Sequence, residues 1–104
     1  MAQKFTKFTQ AEVKNLFSKA NRVYSQNGLI ILQSPAQKEY GRMLIIAPKR
    51  VGSAPERNKL RRQLKSIFIT NDLLNKAKDW IFILRPQVKS LSFEQLQKAV
   101  LSTL

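Results

Sequence analysis

The chain has 104 residues, enough for one domain built on a small core. Lysine and arginine number 19 against 6 acids, and the resulting charge of +13 is costly through self-repulsion unless a polyanionic partner is at hand. With no Cys and no His, thiol nucleophiles, Ser-His and Cys-His catalysis, and thiolate or imidazole zinc sites are excluded.

The six carboxylates (Glu12, Glu39, Glu56, Asp72, Asp79, Glu94) never fall within six residues of one another, so no local pair advertises a two-metal nuclease. The start MAQKFTKFTQ lacks the apolar stretch of a signal peptide, and no apolar run nears the ~20 residues of a membrane span. A soluble, cytoplasmic protein without membrane contact is expected.

Thr9-Gln10-Ala11-Glu12 is a capping box with Phe8 and Val13 as its staple pair, and Val13, Leu16, Phe17 and Ala20 form one apolar stripe, predicting a helix over 10–20. Asn27-Gly28 marks a hairpin between a short strand at 23–25 and a firmer one at 29–32. Ser34 to Gly41 reads as a polar loop. The run Met43 to Ala47 reads as a strand stopped by Pro48, its continuous apolarity predicting burial on both faces.

Ser53-Ala54-Pro55-Glu56 is a second capping box, opening a helix over 56–70 whose stripe is Leu60, Leu64, Ile67 and Phe68. Thr70 to Asp72 interrupts it. Trp80 to Leu84 is a third clear strand. Ser92-Phe93-Glu94-Gln95 then caps a last helix, with Leu91 and Leu96 as staple and Phe93, Leu96, Val100 and Leu104 facing inward. The order α-β-β-β-α-β-α predicts a two-layer α+β domain over 1–104, a mixed sheet packed by helices with a parallel β-α-β unit.

Charge is concentrated in the middle of the chain. Between Arg42 and Lys65 lie eight basic residues and one acid, giving +7 of the total. Lys49 and Arg50 follow a strand end, and the next helix aims its free amides at the same neighbourhood, which assembles an anion site. On that helix Asn58, Lys59, Arg61, Arg62 and Lys65 fill the arc opposite the apolar stripe. A merely solvated face would interleave acids one turn away, and only Glu56 is available, itself at the cap. The partner implied is a phosphate backbone. Phe17, Phe68, Trp80, Phe82 and Phe93 have core-compatible spacing, while Tyr24 and Tyr40 are more open candidates for stacking on bases.

The stretch Lys49-Arg50-Val51-Gly52-Ser53-Ala54-Pro55-Glu56-Arg57-Asn58-Lys59-Leu60-Arg61-Arg62 resembles the signature of the bacterial ribonuclease P protein subunit, K-K-[IV]-G-N-A-x-x-R-N-R-x-K-R. Leu16-Phe17 ending helix one, the strand at 42–47, the Asp79 to Arg85 strand and the Leu91-Ser92-Phe93-Glu94 helix start extend the resemblance over nearly the whole chain.

The resemblance implies a ribonucleoprotein endoribonuclease in which a catalytic RNA removes the 5′ leader of precursor tRNA and the protein assists. It implies Mg²⁺ held mainly by RNA and substrate, none bound by the protein alone, no protein active site, no obligate protein partner, and a left-handed β-α-β crossover. Carried over by position, it assigns RNA contact to Lys49, Arg50, Arg57, Asn58, Lys59, Arg61, Arg62 and Lys65. It assigns a leader cleft beside helix one to Lys14, Phe17, Arg22 and Tyr24. The chain departs from the family pattern in having Ser53 for Asn, Lys59 where Arg is common, and Val13 where an aromatic is usual. A ribosomal or general RNA-binding protein is the alternative, and a protein-only metal nuclease the rival from another class.

Overall fold

The structure, a computed structural model, describes residues 4–104; Met1 to Gln3, the beginning of the N-terminal stretch read above, lie outside the described residues. The main elements follow the expected order: α1 (Gln10–Lys19), β1 (Asn21–Gln26), β2 (Leu29–Pro35), β3 (Arg42–Ile46), α2 (Ala54–Thr70), β4 (Lys78–Leu84) and α3 (Phe93–Leu101). All three capping boxes form, at Thr9 with Glu12, Ser53 with Glu56 and Ser92 with Gln95. Asn27 and Gly28 both carry positive φ, 53° and 80°, the type I′ geometry that folds β1 onto β2. A Cβ at Gly28 would stand 2.4 Å from the Val88 amide nitrogen, so the turn needs glycine on both counts.

The strands form one mixed sheet in the order β1-β2-β4-β3, antiparallel except for the β3–β4 pair, which α2 connects. The expectation of a strand buried on both faces at 43–47 is corrected here. β3 is an edge strand, where Met43 is buried while Leu44, Ile45 and Ile46 are half-buried. β4, paired along both edges, buries Trp80, Phe82 and Leu84 on one face and Ile81 on the other. Ser34 and Pro35, read as loop, continue β2 because Asp79 and Lys78 stand opposite them as ladder partners.

One face of the sheet and helices α2 and α3 make the two-layer core. Phe68 of α2 meets Trp80 edge-on at 5.7 Å and stacks on Phe5 at 5.0 Å. Gln33 Nε2 donates to the Thr103 carbonyl at 2.7 Å and Trp80 Nε1 to Thr103 Oγ1 at 3.4 Å, pinning the segment after α3. Three side chains expected inside are outside: Phe17 is 43% exposed, Phe93 36% and Leu104 55%. Phe93 sits in the first turn of α3, at the lip of a cleft, and Leu104 follows the helix end at Leu101, so helical periodicity no longer governs it.

Helix α1 lies on the opposite face, with Leu16 fully buried beneath it. Arg42, counted above with the cationic stretch, is not part of the surface: its side chain is 1% exposed. Its guanidinium lies 4.1 Å over the Phe8 ring, donates from Nη1 to the Lys7 carbonyl at 2.9 Å and pairs with Glu12 Oε2 at 3.2 Å. Nη2 lies 3.8 Å from Asp79 Oδ2, and Asp79 also accepts the amides of Gln37 and Arg42. Gln37 in turn donates from Nε2 to the Glu12 carbonyl, closing the loop between helix and sheet.

The two acids of this cluster respond to pH with opposite signs. The Thr9 amide, then Arg42, hold the Glu12 carboxyl down from 4.5 to about 2. Its contribution to stability is therefore full above about pH 4.5 and is lost as pH falls towards 2. Burial raises the Asp79 carboxyl above its ordinary value, so protonating it on acidification favours the fold and offsets part of that loss. Urea denaturation across this range tests the assignment: Glu12→Gln should lower stability at pH 7 and flatten the decline between about pH 4.5 and 2. An unchanged decline would remove Glu12 as its source.

Candidate nucleic-acid interface

The cationic segment begins with a 3-10 turn, Lys49–Val51, anchored by Val51, which is fully buried, while Lys49 and Arg50 stand exposed. Gly52 follows with an extended backbone, and its glycine identity answers a close approach: a Cβ there would lie 2.6 Å from Glu56 Oε1. That oxygen accepts the Ser53 amide at 2.9 Å while Ser53 Oγ accepts the Glu56 amide at 3.3 Å. The Ser53 amide is the chief cause holding the Glu56 carboxyl below its ordinary value, with the Ser53 hydroxyl and Lys89 adding to it. The lone acid of the region is thus committed to the helix cap.

Helical geometry sorts the cations of α2. Leu60, Leu64, Ile67 and Phe68 face the sheet, and Arg57, Arg61 and Lys65 form a half-buried ridge along one border of that stripe. Arg57 Nε donates to the Gly52 carbonyl at 3.3 Å, and Arg61 Nη1 donates to Asn58 Oδ1 at 3.1 Å, so both guanidinium groups are oriented and leave other N–H groups free to donate. Asn58 and Arg62 form the exposed crest. Lys59 stands at the far border, where it lines a cleft with Lys89 and Phe93. Among the described residues, Lys49, Arg50, Arg57, Lys59, Arg61, Arg62 and Lys65 make no ion pair with a carboxylate.

A second surface lies across the sheet, beside α1. The register places Arg22, Leu32, Leu44, Ile46 and Ile83 on the α1 face, and the four aliphatic side chains are only half-buried. Phe17, next to the buried Leu16, and the exposed Lys14 belong to the helix that covers this face. Tyr24 does not join them. A bulge between Arg22 and Tyr24 shifts the register, so Tyr24 pairs with Ile31 and packs against the α2/α3 core on the opposite face.

Sequence reading missed Arg85. It closes a recess of about 470 Å³ with Arg22, Ser25 and Ile30 at the β1–β2 hairpin end of the sheet. The spacing held the signal, because Asp79 and Arg85 are six residues apart and an even count in a strand sets both on one face. Among the described residues no three His, Cys, Asp or Glu side chains converge, and no helix is long and apolar enough to cross a membrane.

Because φ at Gly52 is extended, alanine there brings no backbone strain but displaces the Glu56 carboxylate from the cap. Gly52→Ala should cost about 1 kcal/mol in chemical denaturation, the size of one lost N-cap interaction. A loss well above that would mean the glycine serves more than Glu56.

Comparison with known proteins agrees with this geometry. The family model described as Ribonuclease P matches residues 5–104. The Ribonuclease P protein component of Petrotoga mobilis is 28% identical over 93 residues, covering 85% of this chain and 78% of the relative. That of Bacillus velezensis is 34% identical over 83 residues, covering 80% and 68%. Among solved structures, the RNase P protein of Staphylococcus aureus superposes with a TM-score of 0.81 at 22% identity, covering 97% of this chain and 93% of that one. The RNase P protein of Thermotoga maritima gives 0.79 at 21%, covering 95% and 94%, so the same fold holds at low identity. With a match that takes in both the cationic helix and the sheet, the chain belongs to the ribonuclease P protein family.

Proposed function

We propose that this protein, a component of the ribonucleoprotein endoribonuclease ribonuclease P, docks on the enzyme's catalytic RNA through the α2 segment and steadies the 5′ leader of precursor tRNA against the α1 face. The observation that carries the docking reading is the set of cations from Lys49 to Lys65 without a carboxylate partner among the described residues. Seven such charges, two of them guanidinium groups oriented by backbone or amide contacts, gain their counter-charges from phosphates. The half-buried aliphatic floor, the exposed Phe17 ring and the rim of Lys14, Arg22 and Arg85 suit a single strand, whose bases stack or lie on apolar surface while its phosphates meet cations.

In this reading bond cleavage belongs to the RNA, and Mg²⁺ held by RNA and substrate supplies the chemistry. The protein's own residues supply position and charge: α2 fixes it to the RNA, and the α1 face restrains the leader, which raises the effective concentration of substrate at the catalytic centre. The protein works in the cytoplasm with its RNA and needs no protein partner.

The test is reconstitution at low Mg²⁺ with a bacterial ribonuclease P RNA and precursor tRNA. Leader removal should require the protein. Cleavage by protein alone would make it a nuclease, and equal affinity for precursor and mature tRNA would make it a general RNA binder. Within the complex, Arg61→Ala should weaken binding to the RNA subunit by about 1–3 kcal/mol, as for a charge-assisted hydrogen bond. Phe17→Ala should instead reduce the preference for precursor over mature tRNA, by about 1–3 kcal/mol if one base stacks on the ring. The log-log salt slope of RNA binding should be about −3 or steeper, as for at least four neutralised phosphates.

A further inference from the structure

Lys59 parts from the Arg57, Arg61 and Lys65 ridge and belongs to a cleft that neither the docking ridge nor the leader surface uses. This cleft, of about 240 Å³, runs between α2 and the corner leading into α3. Its α2 wall carries Glu56, Lys59, Leu60 and Gln63, and its other wall carries Lys89, Leu91, Ser92 and Phe93. Leu60 is buried and Leu91 half-buried, so the floor is apolar. Phe93 offers an exposed ring with no aromatic partner among the described residues.

The lining sets two lysines against one acid, Glu56, so its balance is positive. Lys59 makes no ion pair among the described residues. Lys89 approaches Glu56 Oε2 only to 3.8 Å, with both side chains about half exposed, and the other Glu56 oxygen is taken by the Ser53 amide. An aromatic ring over an apolar floor, flanked by two ammonium groups and one carboxylate already tied to the helix cap, matches a nucleobase with its phosphate attached. Gln63 adds an amide that can both donate to and accept from a base edge. The mouth adjoins the exposed crest of Asn58 and Arg62, so a strand lying along α2 passes it.

We propose that this cleft takes one unpaired nucleotide of the RNA docked on α2, its base against Phe93 and its phosphate between Lys59 and Lys89. The proposal rests on α2 being the docking helix and does not involve the leader. It explains why an aromatic residue stands exposed in the first turn of α3, where helical periodicity pointed it inward.

The experiment is an amide-resolved NMR titration of the full chain with adenosine 5′-monophosphate at fixed ionic strength, with inorganic phosphate as control. Saturable shifts are expected at Lys59, Gln63, Lys89 and Phe93. Phe93→Ala should weaken this binding about tenfold, within the range for one stacked base, and Phe93→Tyr should restore it. No shifts in the cleft, the same shifts with phosphate alone, or an unchanged affinity in Phe93→Ala would each overturn the nucleotide slot. The parallel Arg61→Ala measurement on the RNA subunit separates the two readings. Loss of RNA affinity there with no response to the nucleotide sinks the cleft alone, whereas full RNA affinity there sinks docking by α2 and with it the cleft's place beside a docked strand.

Discussion

Arg42 ties the N-terminal segment, α1 and the sheet together at one buried point. It leaves the first position of β3 towards the α1 face, and around its guanidinium gather the Lys7 carbonyl, the Phe8 ring, Glu12 of α1 and Asp79 of β4. Removing such a charge from water is expensive, and the cost is offset only where acceptors and counter-charges are in place. Here two acids and a ring are supplied from three separate segments, so the cluster forms only when the N-terminal segment, helix and sheet are all in register. The chain passes around the β3 edge to reach it: Phe5 stacks on Phe68 within the α2/α3 core, while Phe8, three residues later, covers Arg42 on the other face.

This arrangement has a consequence for function. The α2 cations stand on elements packed directly on the main core, whereas Phe17 and Lys14 stand on a helix held by Leu16 and the Arg42 cluster. Loosening the cluster would therefore disturb the α1 surface while leaving the α2 surface on its own support. The acids also divide by role. Glu12 and Asp79 neutralise the buried arginine, and Glu56 closes the α2 cap and meets Lys89, so three of the six carboxylates are consumed internally. The excess positive charge at the surface is what this leaves, and it is concentrated where a polyanion would be met.

Much of the fold was legible because its determinants are local. Each capping box lies within four residues, the Asn27-Gly28 turn within two, and the apolar stripe of α2 within nine, so sequence spacing alone reports them. Two of the failures have the opposite property. Arg42 lies 37 residues from Asp79 and 30 from Glu12, and nothing near it in sequence distinguishes a buried arginine from the exposed ones that follow. The edge position of β3 depends on β4 entering the sheet between it and β2, a choice made 32 residues downstream. Tyr24 was misplaced by a single extra residue in β1, since simple alternation gives Arg22 and Tyr24 the same face and the bulge gives them opposite ones.

A motif groups the basic residues of α2, and the structure adds what a motif cannot hold, which is direction. Residues that are neighbours in the line Arg57-Asn58-Lys59 diverge by about 100° per step around the helix, so one side chain borders the core, one stands on the crest and one turns into the cleft beside α3. A contiguous stretch of sequence therefore faces three separate directions. A phosphate backbone laid along the crest can engage the ridge on one side while a base reaches the cleft on the other, and a flat cationic patch of equal charge could not offer that division.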